Sequence, residues 1–162
     1  MEEITAREVF TTALGTISVC ISKGRVVEVG FVSEALPSFA ESSSDGALAK
    51  EAANQLRHYF AGKRESFDLP LHFSGTKFQE EIWQEIAKVP FGQSATYKDL
   101  AMRIGKPQAA RAVGGAVGAN PIGIIVGCHR ILGSSGKLTG YSGGSGVPTK
   151  KKLLELEGIA YK

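Results

Sequence analysis

Long hydrophobic runs are missing from this sequence: none approaches the ~20 residues of a membrane-spanning helix, so the chain is not expected to cross or enter a membrane. Cysteine is scarce as well. With only Cys20 and Cys128, a disulfide framework is excluded, and the one arithmetically possible bridge is not needed by a chain of 162 residues. The two cysteines and three histidines are scattered without metal-ligand spacing, and the one adjacent pair, Cys128-His129, is too close in sequence to make a normal site. The expectation is therefore no metal site. The N-terminus, Met1-Glu2-Glu3, is acidic and lacks the basic-then-apolar layout of a signal peptide. That predicts a cytoplasmic protein, or a nuclear one in a eukaryote.

The most informative absence is acidic charge. Between Asp99 and Glu155 there are eight basic residues and no acidic one. Residues 1–74 hold 7 Lys/Arg against 10 Asp/Glu, whereas residues 75–162 hold 12 against 6. An acid-free basic stretch lowers repulsion toward a polyanion, although a solvated surface would look the same. With 43% hydrophobic and 22% charged residues the composition is that of a globular chain, large enough for one ordinary domain or two small ones.

The first third has β character. Ile17, Val19 and Ile21 alternate with Ser18, Cys20 and Ser22, which assigns Cys20 to the polar face of its strand. Lys23-Gly24 marks a turn into a second strand over 25–31, and 8–12 is a third. The serine-rich segment 37–46 is expected to be a loop. Leu48, Ala52, Leu56 and Phe60 then predict a helix over 47–61, stopped by Gly62. Residues 63–75 lack any period and join two domains, 1–75 and 76–162.

The second half opens on a capping box, Thr76 with Gln79, and Phe78, Ile82, Trp83 and Ile86 form the apolar face of its helix. Pro90 sets its end. Thr96 and Asp99 make a second box, Gly105 stops that helix, and Pro107 is expected in the first turn of the next, which runs to about Val117. Two short helices around a glycine turn make a helix-turn-helix. The second is nearly bare, offering mainly Ala, Gly and Arg111. Such a helix either packs into the core or approaches a DNA groove closely without reading sequence, with Arg111 as its one long probe.

After Asn120-Pro121, an apolar run over 122–126 is expected to be a buried strand with Cys128 at its end, just past Gly127. Glycine permits close approach there. His129 and Arg130 are candidate sources of a field that lowers the cysteine pKa. In an extended strand His129 points away from Cys128, so a bridging water suits proton transfer better than direct contact. The glycine- and serine-rich stretch around Tyr141 and Ser142 is either a spacer or a pocket wall. A last helix over 148–157 begins with Lys150, Lys151 and Lys152, which oppose its dipole and are expected to be solvated or near phosphates.

Pro90-Phe91-Gly92, Thr96-Tyr97, Ala109–Ala116, Asn120-Pro121, Cys128-His129-Arg130 and Tyr141-Ser142-Gly143-Gly144 stand in the order and spacing of one family. Over residues 76–160 the chain resembles the O6-alkylguanine-DNA alkyltransferases. The resemblance implies an α/β plus α fold. A small ribonuclease-H-like sheet with helix precedes a winged-helix-like domain containing the helix-turn-helix. It implies single-turnover transfer of an alkyl group from O6-alkylguanine in double-stranded DNA to Cys128, with O4-alkylthymine as a further candidate substrate, by a monomer that needs no metal or organic cofactor.

The resemblance also implies roles. Cys128 is the acceptor, His129 its base through water, Glu157 the carboxylate that orients His129, and Asn120 the brace of the turn. Tyr97 rotates the target nucleotide and donates to the leaving guanine, while Arg111 replaces the flipped base. Tyr141 and Ser142 border the guanine pocket, and Lys98, Lys106 and Ser134 contact DNA. One departure stands out: the family's proline before the cysteine is here Gly127, which adds backbone freedom worth about 0.4–1 kcal/mol. The residues themselves leave two rivals open, a DNA-binding module that does not react and a cysteine hydrolase using Cys128 and His129.

Overall fold

The structure, a computed structural model, describes residues 3–34 and 36–162; Met1 and Glu2 of the acidic N-terminus, and Ala35, lie outside the described residues. The chain forms two compact units. The first runs up to Ser74 and also takes in Pro121–Ile125; the second comprises Gly75–Asn120 and Val126–Lys162.

In the first unit, β1 (Ala6–Thr12), β2 (Gly15–Ser22), β3 (Arg25–Phe31) and the short β4 (Phe39–Ala40) form an antiparallel sheet in the order β3-β2-β1-β4. The expected hairpin is present, with Lys23 and Gly24 both at positive φ in its turn. Cys20 differs from expectation. It is buried, as are Ser18 and Ser22, and its Sγ lies 3.7 Å from Ser18 Oγ. The face of β2 that carries these small polar side chains is therefore covered, as the opposite face is at Ile17, Val19 and Ile21.

The helix of this unit, α1 (Ser43–Phe60), starts four residues earlier than its apolar period indicates. Ser42 caps it, accepting from Asp45 N at 3.2 Å. The serines that look like a loop thus supply the cap. Leu71 and Ile122 each form a parallel bridge to β3, at Val26 and Val29.

Residues 122–126 are not a strand. Ile125 N donates to Gly123 O at 2.7 Å across Ile124, which is buried at φ +70°. A β-branched residue in that region carries strain of order 1–3 kcal/mol. A second tight turn follows, Cys128 N to Val126 O at 2.8 Å, centred on Gly127 at φ −74°, ψ 63°. These are inverse γ-turn angles, which residues other than glycine also adopt.

In the second unit, α2 (Lys77–Ala87) and α3 (Tyr97–Arg103) both carry the expected capping boxes, with hydrogen bonds in each direction. Between them, β5 (Ala95–Thr96) pairs in parallel with β6 (Ile131–Leu132). Gly105, at φ +74°, turns the chain toward α4 (Ala110–Gly118). Pro107 is not in the first turn of that helix as expected: Ala109 is the N-cap, without a side-chain cap bond, and Pro107 lies in the preceding turn. α4 buries Val113, Ala116 and Val117, and Trp83 Nε1 donates to Ala116 O at 2.8 Å, while Arg111, Ala112, Gly115 and Gly118 stay exposed. The bare helix therefore packs on one face and leaves the other smooth and open. α5 (Val147–Glu157) ends on Gly158 in the left-handed conformation. No helix among the described residues is long and apolar enough to cross a membrane.

Candidate active site

Cys128 opens a single 3₁₀ turn, Cys128–Arg130, instead of ending a strand. Its thiol borders a cavity of about 350 Å³ whose wall includes Tyr97, Tyr141, Ser142 and the bare face of α4 at Gly114, Val117 and Gly118. That is a common size for a small-molecule pocket. A larger cavity of about 510 Å³ lies in the first unit among Arg7, Phe39 and Lys50, but no cysteine or histidine lines it.

His129, Arg130 and Glu157 form a buried, hydrogen-bonded cluster beside Cys128 in the chain. His129 is fully buried, with Nε2 2.6 Å from Glu157 Oε2. Arg130 Nε donates to Glu157 Oε1 at 2.8 Å and Nη2 to Oε2 at 3.1 Å, while Nη1 reaches Val89 O at 2.7 Å. Gly92 N adds a donor to Oε1 at 3.1 Å. A carboxylate held by this many donors is ionised. The His129 nitrogen facing it therefore carries the proton, and the lone pair falls on Nδ1. Among the described residues Nδ1 has no hydrogen-bond partner. Burial lowers the His129 pKa below its ordinary 6.5, and Glu157 only partly opposes this, so the ring is a neutral base at pH 7.

The thiol itself is pushed upward by burial; hydrogen bonds from Asn120, the charge of Lys150, its own backbone and the Tyr141 hydroxyl pull it down. Asn120 also donates to Val126 O at 2.9 Å, tying down the turn before the cysteine. The expected field sources, His129 and Arg130, are corrected here. His129 is neutral, and Arg130 is engaged by Glu157. The cation acting on the thiol is Lys150.

Lys150 also departs from the expectation for its lysine run. Lys151 and Lys152 are exposed, but Lys150 is 1% exposed, with Nζ donating to Ile131 O at 2.7 Å, Thr139 Oγ1 at 3.1 Å and Gly140 O at 3.5 Å. Burial brings its pKa down to about 8. Its sequence signal was its spacing: Leu153, Leu154 and Glu157 stand three, four and seven residues on, all buried on the same helix face. Lys150→Met should raise the Cys128 pKa further. The pH profile for alkylation of Cys128 by a small thiol reagent, read by peptide mass, then moves to higher pH; an unmoved profile would count against the lysine.

Tyr97, Asn120, Cys128, Tyr141 and Ser142 are thus brought together, with His129 and Glu157 beside Cys128 in sequence or by hydrogen bond. Ser142 Oγ donates to Gly118 O at 3.0 Å. Lys98, Lys106, Arg111 and Ser134 lie outside the cavity wall and are exposed; Lys106 Nζ sits 5.3 Å over the Phe78 ring. The Arg130–Glu157 pairing and Thr139 carry no signal in the sequence reading.

A buried Cys-His-Glu cluster opening on a pocket beside a helix-turn-helix defines a nucleophilic DNA-processing class of protein. Models of the 6-O-methylguanine DNA methyltransferase family match most of the chain: the ribonuclease-like domain over residues 6–73 and the DNA-binding domain over 77–159. The chain belongs to this family. It is 55% identical over 108 residues to a methylated-DNA–protein-cysteine methyltransferase of Methanosarcina barkeri, covering 67% of each chain. A Mycobacterium bovis protein of the same name is 48% identical over 121 residues, covering 75% of this chain and 72% of that one. Among solved structures, the Mycobacterium tuberculosis O6-methylguanine methyltransferase has 37% identity and a TM-score of 0.79, covering 93% of this chain and 91% of its own. The crystal structure of the same organism's protein in complex with DNA has 39% identity and a TM-score of 0.79, covering 92% and 90%. The two-domain fold expected from the sequence is the fold of these structures.

Proposed function

We propose that this chain repairs DNA by moving an alkyl group from O6 of guanine onto Cys128, once per molecule. The observation that carries the reading is the thiol at the cavity wall with a neutral, carboxylate-oriented histidine next to it. The basic second half binds duplex DNA without sequence preference, and binding weakens as salt rises. The exposed Lys98, Lys106 and Ser134 contact the backbone. Tyr97 presses the damaged nucleotide out of the stack into the cavity, and Arg111, exposed on the smooth face of α4, occupies the gap.

Chemistry follows from the charges. The thiol proton passes through a water to His129 Nδ1, and the imidazolium is stabilised by Glu157. Thiolate attacks the alkyl carbon in line; the S–C bond forms, the C–O6 bond breaks, and its electron pair stays on guanine. The guanine takes back a proton and is restored. Tyr141 and Asn120 donate to the sulfur, and Lys150 compensates its charge until the thioether forms. The S–C bond of a thioether is not readily broken, so the protein does not turn over. O4-alkylthymine presents the same alkyl carbon and is a second substrate on this reading.

Incubation with a duplex containing one O6-methylguanine should add one methyl group to the peptide bearing Cys128 and leave unmodified guanine. DNA that is bound while both thiol and lesion stay unchanged would instead establish a non-reacting sensor. Turnover of esters or amides without methyl uptake would establish a hydrolase.

A further inference from the structure

We propose that Thr139 is a positioning residue for alkyl transfer, fixing the Tyr97 hydroxyl as a hydrogen-bond donor toward the Cys128 cavity. The inference rests on the function proposed above.

Thr139 Oγ1 joins two groups. It lies 2.8 Å from Tyr97 Oη and receives Lys150 Nζ at 3.1 Å. An ammonium can only donate, so Thr139 accepts from Lys150. The hydroxyl then has one proton and one lone pair left. Were Tyr97 to donate into that lone pair, the Thr139 proton would need a further acceptor, and the described residues provide none. With Thr139 donating to Tyr97, the proton left over is the phenol's, and Tyr97 lines the cavity, where a bound substrate can accept it. A hydroxyl that accepts from a cation is also polarised into a stronger donor, which favours the same direction. The order is therefore Lys150 to Thr139 to Tyr97.

The side chain has little freedom to break that order. Its methyl group packs against Gly133, where an added Cβ would stand 3.0 Å from Thr139 Cγ2. Lys150 is anchored separately by Ile131 O.

The consequence falls on Tyr97. Its oxygen accepts from Thr139, so its own proton is directed elsewhere, and Tyr97 forms part of the wall that holds Cys128. During displacement the C–O6 electron pair is left on guanine. A phenol proton directed into the cavity is well placed to meet that developing charge. Without Thr139 the phenol can rotate, and donor alignment is lost.

The test is single-turnover methyl uptake from an O6-methylguanine duplex, with protein in excess, separating the maximal rate from the half-saturating concentration. Thr139→Val should lower the maximal rate about tenfold, the worth of one hydrogen bond, with half-saturation little changed. Thr139→Ser should restore most of the rate. In a Tyr97→Phe background, Thr139→Val should have no further effect. If the valine variant does not fold, Thr139→Ala carries the same comparisons. Equal slowing in the Tyr97→Phe background, a serine variant as slow as valine, or an effect on half-saturation alone would each overturn the role. Wild-type uptake is the control: its absence refutes the proposed function rather than the role of Thr139.

Discussion

Glu157→Ala should cost about 3–5 kcal/mol of stability, because it leaves the Arg130 guanidinium buried without its counter-charge. Arg130 is 6% exposed and, of the hydrogen bonds described above, would keep that to the Val89 carbonyl; His129 would lose its acceptor at the same time. At roughly 2–4 °C per kcal/mol for a chain of this length, the midpoint falls on the order of 10 °C in thermal unfolding. A change below about 1 kcal/mol would mean that the pair is open to water. The His129 shift adds a pH dependence. Its folded pKa lies below the unfolded value of 6.5, so the unfolded chain binds more protons in that window. Stability therefore falls as pH drops below about 6.5.

The second large effect is on rate. His129→Phe should slow methyl transfer by about 10²–10⁴-fold, the range for losing a positioned general base, while DNA affinity is retained. The cause is visible in the ionisation balance: burial keeps the Cys128 pKa raised, so thiolate must be generated at the site. The deficit should shrink as pH rises and the thiol ionises without help. A constant deficit across pH, measured in single-turnover time courses, would mean that His129 serves structure and not proton transfer.

Local features were the legible ones. Thr76 with Gln79 and Thr96 with Asp99 are three-residue relationships, and both boxes are present as expected. The β-hairpin and the Gly158 stop are likewise set by neighbours in the chain. The strand assigned to 122–126 failed because the two tight turns there need only a bond from residue i+2 to i, which leaves no hydrophobic period to read. The start of α1 was missed because serines serve loops and caps equally. In the site, Cys128 stood out by its surroundings, but the Arg130–Glu157 pair spans 27 residues of chain. The burial of Lys150 depends on carbonyls at 131 and 140. Such partners exist only once the fold has assembled them.

Gly127 has a φ of −74°, which proline would also adopt. What glycine leaves there is space: an added Cβ would come within 2.9 Å of Arg130 Cδ, Nε and Cζ. Any side chain at 127 must displace the guanidinium that holds Glu157. Positions 127 and 130 are therefore epistatic. A substitution at 127 acts on the histidine's carboxylate through an arginine three residues away, and its effect should not add to that of a change at 130.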